Sequence, residues 1–189
     1  VEGSTEALDE LVMDAEGKTF YPVFVKNGDA AYTVEIYLMG TDGKYPENAS
    51  DKYTTSKTGT IGLAVTAAHA DYAPAETYFS ADMDAANVTE VTITADGKAA
   101  LKLYFKRATV EITVNGETDD YYVGEEIPAP VVDPEDIPDG YKQDETNPWI
   151  DQNGDPVKVP YEVKEDGNPT EIKPNVVPKD DTAYTVEIY

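Results

Sequence analysis

Ala31-Tyr-Thr-Val-Glu-Ile-Tyr37 alternates polar and apolar side chains and is built from β-branched and aromatic residues, the pattern of a strand with one face buried. The same seven residues return unchanged as Ala183-Tyr-Thr-Val-Glu-Ile-Tyr189, 152 positions later (31 to 183). Pro22, Val25 and Asp29 match Pro174, Val177 and Asp181 at the same offset. A chain of 189 residues thus reads as one period of 152 plus an overlap of 37, the mark of a protein made of repeated units.

Composition changes inside that period. Residues 31–107 hold 10 acids, 7 basic residues and 2 prolines, whereas residues 108–182 hold 20 acids, 5 basic residues and 10 prolines. Two kinds of small module are therefore expected in each period, at 31–107 and 108–182. Residues 1–30 read as the end of a preceding module of the second kind, and 183–189 as the first strand of the next repeat.

The local signals are those of strands and turns. In the first module Tyr32 to Leu38 runs into the turn Thr41-Asp-Gly-Lys44, the Ala-rich stretch Thr60 to Ala70 suits a short helix or turn, and Val91 to Phe105 reads as a hairpin around Asp96-Gly97. In the second, Val110 to Val114 turns at Asn115-Gly116 and returns through Tyr121 to Val123. Pro128, Pro130, Pro134 and Pro138 keep the following segment extended and at the surface. Trp149, the sole tryptophan, is a core anchor, and two weak strands flank Glu165-Asp-Gly167. The fold class is mostly β.

A formal net charge of -24 repels nucleic-acid phosphates and anionic membranes, so neither is an expected partner. The chain has no cysteine, hence no disulfide and no thiol chemistry, and no apolar run of about 18 residues marks a membrane span. The one histidine, His69, has no triad or zinc context, and no carboxylate pair stands in a catalytic setting, so an enzyme is not expected.

The candidate metal site is Asp151, Asn153, Asp155 and Glu162, which take loop positions 1, 3, 5 and 12 of a calcium-binding spacing. Against calcium, Pro156 replaces the glycine of that loop, strands flank it, and the offset counterparts Val1 and Gly3 are not ligands, so a plain β-turn is the alternative. Asp82 and Asp84 form a second, smaller candidate. Lys102 and Lys106 near strand ends are candidates for amide crosslinks to Asn or Asp, against ordinary strand alternation. Tyr121-Tyr122 is a candidate sugar-stacking surface, although neighbours on a strand face opposite ways.

Val114-Asn-Gly-Glu117, Val123-Gly-Glu-Glu-Ile-Pro128, Gly140-Tyr141 and Trp149 before Asp151 and Gly154 give the second module a pattern that resembles the internalin (Listeria–Bacteroides) B-repeat. The stretch between Gly140 and Trp149 is longer and more acidic than in that family. Tyr32 to Tyr37, Asp42-Gly43, Thr58-Gly59 and Ala95 to Tyr104 make the first module similar to the mucin-binding and related β-grasp repeats of bacterial adhesins. The resemblance implies tandem small β-grasp-like domains in a linear, rod-like array, a surface or secreted location, and a role as stalk or adhesin segment. Expected partners are neighbouring repeats or other copies of the chain, with a glycan or host surface protein as the alternative. No catalytic residue is carried over.

Overall fold

The computed structural model describes residues 28–179. The readings made for residues 1–27 and 180–189 lie outside them. The chain is mostly β, with several small sheets.

The first sheet is built around strand β1 (Asp29–Leu38), which contains the repeated heptapeptide. It is followed by β2 (Thr54–Thr60), β3 (Ala64–Thr66), β4 (Phe79–Ala81), β5 (Glu90–Thr92) and β6 (Ala99–Arg107). The strand order is β2-β1-β6-β4, with β1 antiparallel to β2 and parallel to β6. Alternation sorts the side chains. Val34 and Ile36 of β1 and Leu101, Leu103 and Phe105 of β6 share one face and form a buried cluster. On the other face Tyr37 stacks on Tyr104 with ring centroids 4.6 Å apart, and Tyr45 meets Tyr104 edge-on.

The second half repeats the plan. Its strands are β7 (Thr109–Val114), β8 (Glu117–Tyr122), β9 (Glu126–Ile127), β10 (Tyr141–Gln143), β11 (Trp149–Ile150), β12 (Tyr161–Glu162), β13 (Glu171–Pro174) and β14 (Val176–Pro178). The main sheet runs β8-β7-β13-β11, again with a parallel central pair, β7 and β13, between two antiparallel neighbours. Asn115 (φ 50°) and Gly116 (φ 87°) make the tight turn between β7 and β8, where both residues must take positive φ. Ile112, Ile127, Trp149, Tyr161, Val163 and Ile172 form a second, separate core.

Aligning the two sheets exposes a shorter repeat. Thr33-Val-Glu-Ile36 in β1 and Thr109-Val-Glu-Ile112 in β7 hold the same place in the first strand of each sheet, 76 residues apart (33 to 109), and both isoleucines are buried. Thr185-Val-Glu-Ile188 follows after another 76 (109 to 185). The 152-residue spacing is therefore two such steps.

Two local expectations are corrected, the second only in part. Val91 to Phe105 is not a hairpin: the turn at Gly97 forms, with Gly97 N–H donating to Thr94 at 3.2 Å, but β5 pairs with β3. β4 covers β6 only opposite Phe105 to Arg107, and nearer the turn the segment before β5 touches β6 through a single bridge, Val88 to Lys102, before β5 departs to β3. The Ala-rich stretch Thr60 to Ala70 has the expected turn at Ile61-Gly62 and a 3₁₀ turn at His69–Asp71, but its middle is strand β3, since Gly62, Ile93 and Ala67 tie it by backbone bonds to the segment 89–93, and this pairing outweighs alanine's helical preference. The two weak strands expected on either side of Glu165 to Gly167 are present as β12 and β13; β12 pairs with β9, and β13 with β7 and β11.

Leu103 is fully buried between β1 and the rest of the first core. Leu103→Ala is expected to lower stability by about 2–5 kcal/mol in urea unfolding followed by tyrosine circular dichroism. A loss below about 1 kcal/mol would mean the site is not tightly packed.

Candidate functional site

Aspartates are abundant, and their first use is local. Asp42, Asp82, Asp96, Asp144, Asp151 and Asp166 each accept the backbone N–H of the residue two positions on, at 2.8–3.1 Å. This is the Asx-turn, in which a side-chain carboxylate closes a turn that the backbone would otherwise leave open.

The calcium candidate is one of these turns. Asp151 Oδ1 accepts from the N–H groups of Asn153 and Asp155, both at 2.8 Å, and Asp151 Oδ2 accepts from Asn153 Nδ2 at 3.3 Å. Burial pushes the Asp151 carboxyl up, but the hydrogen bonds from Asp155 and Asn153 outweigh it and hold it below the usual carboxylate range. Glu162 stands in β12 opposite Glu126. Among the described residues no three His, Cys, Asp or Glu side chains are grouped to hold a metal ion, so Asp151, Asp155 and Glu162 are not brought together as ligands. At the second candidate, Asp82 Oδ2 accepts from the Tyr45 hydroxyl at 2.6 Å and Oδ1 from Asp84 N–H at 3.1 Å.

The other candidates are also engaged. His69 lies edge-on to Phe105 at 5.2 Å, and its Nε2 is 3.0 Å from Asn87 Oδ1. Asn87 Nδ2 donates to the carbonyls of Asp82 and Ala85, and Oδ1 accepts from Tyr104 N–H, so the amide orientation is fixed and His69 Nε2 must be the donor. Lys102 Nζ is 3.9 Å from Glu35, on a side chain 40% exposed, whereas an amide crosslink needs a buried amine. Lys106 is exposed. Tyr121 packs against the second core, and Tyr122 turns the other way, onto Gly43 of the first half.

That contact belongs to the junction between the two halves. Strand β6 ends at Arg107 and β7 begins at Thr109, with Ala108 alone between them. Arg107 Nε donates to the Met39 carbonyl at 3.0 Å, and Nη1 donates to the Val123 carbonyl at 2.8 Å. One guanidinium thus reaches both halves. Its central carbon Cζ lies 4.8 Å from the Phe79 ring centroid and 5.2 Å from that of Tyr78, within cation–π range. Around it Ala108 N–H donates to Tyr78, Val123 N–H to Ala108, and Thr77 Oγ1 to Glu165 Oε1 at 2.6 Å. Gly43, at φ 71°, sits so close beneath Tyr122 that a Cβ there would lie 2.5 Å from the hydroxyl oxygen.

Arg107 is the single arginine of the chain, the other 13 basic residues being lysines. The substitution would not be neutral, because a lysine ammonium cannot send two donors in fixed, divergent directions while stacking on rings. In the sequence Arg107 is simply the last residue of 31–107; the signal that points to it is that a chain otherwise restricted to lysine uses arginine once.

No family model and no curated protein matches the chain. The functional reading therefore rests on the junction and on the repeated sheet plan. Among the described residues no helix is long and apolar enough to cross a membrane.

Arg107→Ala is expected to cost about 1–3 kcal/mol in thermal or urea unfolding, and Arg107→Lys to recover less than half of it, since each half loses a charge-assisted bond. Full recovery by lysine would show that charge alone matters there.

The Tyr45–Asp82 bond sets a pH dependence. Burial first, then the bond to Asp82, raises the Tyr45 pKa far above its ordinary value, while the same bond lowers that of Asp82. The depressed Asp82 contributes stability that is present above about pH 4 and lost as pH falls further. The raised Tyr45 contributes stability that is present below about pH 10 and lost as pH rises beyond it. Tyr45→Phe should flatten both limbs of the stability profile relative to the parent chain; unchanged limbs would remove the bond from the account.

Proposed function

We propose that this chain is a structural segment of a repetitive bacterial surface or secreted protein, in which tandem β-grasp-like modules form a stalk that holds a more distal part away from its anchor. The observation that carries this reading is the Arg107 junction, where one side chain is hydrogen-bonded to both halves and only Ala108 separates their strands. A flexible linker between independent binding domains has the opposite character: several polar or glycine residues and few contacts across it.

The repeated plan supports the same reading. Both sheets place the first and last strands parallel at the centre, as β-grasp sheets do, and both begin with Thr-Val-Glu-Ile. In a tandem array each unit contacts mainly its neighbours, so a stiff junction repeated along the chain is what sets its reach. The module boundary is read between Arg107 and Thr109. The net charge of -24 suits an extracellular surface kept soluble by self-repulsion. The role is mechanical spacing, with no catalysis and no cofactor.

NMR relaxation tests the proposal. Residues of the first and second sheets should share one rotational correlation time, and Arg107→Ala, which removes the bonds to Met39 and Val123, should loosen them while leaving each sheet folded. Independent tumbling of the two sheets in the parent chain would refute the stalk.

A further inference from the structure

The heptapeptide in the middle of β1 occurs a second time in this chain, and the surroundings of β1 show what those seven residues satisfy. On one side Ala31 to Glu35 pair antiparallel with Thr58 to Thr54; on the other, Tyr32 to Tyr37 pair parallel with Ala99 to Tyr104. Val34 is wholly buried, Ile36 nearly so, and Tyr37 stacks on Tyr104 while its hydroxyl donates to Glu35 Oε2 at 2.9 Å. Every one of these contacts is made by a residue with an identical counterpart in Ala183–Tyr189. Within β1, Asp29 and Ala31 to Tyr37 match Asp181 and Ala183 to Tyr189, and Ala30, opposite Gly59, differs from its counterpart Thr182, so over the heptapeptide the place held by β1 has no chemical means of telling the two segments apart.

We propose that Ala183–Tyr189 of one copy takes the β1 position in a second copy, so that chains join head to tail by strand exchange. Register is not in doubt: a shift by one residue would turn Val186 and Ile188 out of the core and bring Thr185 and Glu187 in. The partner is thus a second copy of this chain, recognised through main-chain ladders on both sides and two apolar side chains in the core between them. The resident β1 competes at the high effective concentration of a tethered segment, in the millimolar range or about that. Exchange therefore dominates when the resident strand is weakened or the protein is crowded. The inference depends on the surroundings of β1 and is independent of the stalk reading, which concerns Arg107.

The test uses the full 189-residue chain. In Val34→Asp/Ile36→Asp two carboxylates face the core and expel the resident strand. This variant should sediment as concentration-dependent dimers and larger species, with the amides of Leu101, Leu103 and Phe105 regaining hydrogen-exchange protection as association proceeds. Adding Val186→Asp/Ile188→Asp should leave it monomeric with those amides unprotected, and Val186→Asp/Ile188→Asp alone should match the parent chain at low concentration. The proposal is overturned if the first variant stays monomeric at all concentrations, or if it and the combined variant associate equally, which would be aggregation through the exposed core.

Discussion

Two neighbouring parallel strands cannot be joined by a tight turn, and that constraint organises everything else in this chain. Strands β1 and β6 lie side by side and point the same way, so the chain must leave the end of β1 and travel back along the whole sheet before β6 can begin. The residues between them, 39–98, become β2 on one edge, β4 on the other, and the small β3–β5 sheet that covers the core face. The same requirement in the second half leaves 115–170 to be organised between β7 and β13, and that span contains the proline-containing segment, the β9–β12 sheet and β10, whose partner β14 follows β13. Helices are not needed for the crossover; short strands and three brief 3₁₀ turns fill it.

What was legible in the sequence was whatever is decided within a few residues. The alternation of Tyr32 to Leu38, the Asn115-Gly116 turn, the burial of Trp149 and the opposite directions of Tyr121 and Tyr122 all depend on local period or on turn chemistry, and all are present in the structure. The pairing of Val91 to Phe105 was not legible, because a turn with Gly97 looks the same whether its flanking strands pair with each other or with partners elsewhere in the chain. The 76-residue step was hidden for a related reason: only four residues are shared at the equivalent place, while acid and proline content diverge between the halves.

The charge of the chain illustrates how composition can suggest a site that geometry then distributes. An acidic cluster with regular spacing, such as Asp151, Asn153 and Asp155, has the look of a cation loop. In the fold the carboxylate of Asp151 is committed to backbone N–H groups, as are five other aspartates at comparable bends. Much of the aspartate content therefore serves as punctuation for short strands. The residues that meet the single arginine, by contrast, are Met39, Tyr78, Phe79 and Val123, none of them charged, and the one carboxylate described at the junction, Glu165, is held by Thr77.

The parallel central pair has one more consequence, which concerns force. Strand β1 opens the first sheet and β6 ends it, so tension along the chain enters at one end of β1 and leaves at the opposite end of its neighbour β6. Pulling in this direction slides the two strands past each other, and the ladder bonds between them bear the load together. A hairpin loaded at its open end would instead yield one bond at a time. The order in which this chain lays down its strands places its longest parallel ladder across the line of pull.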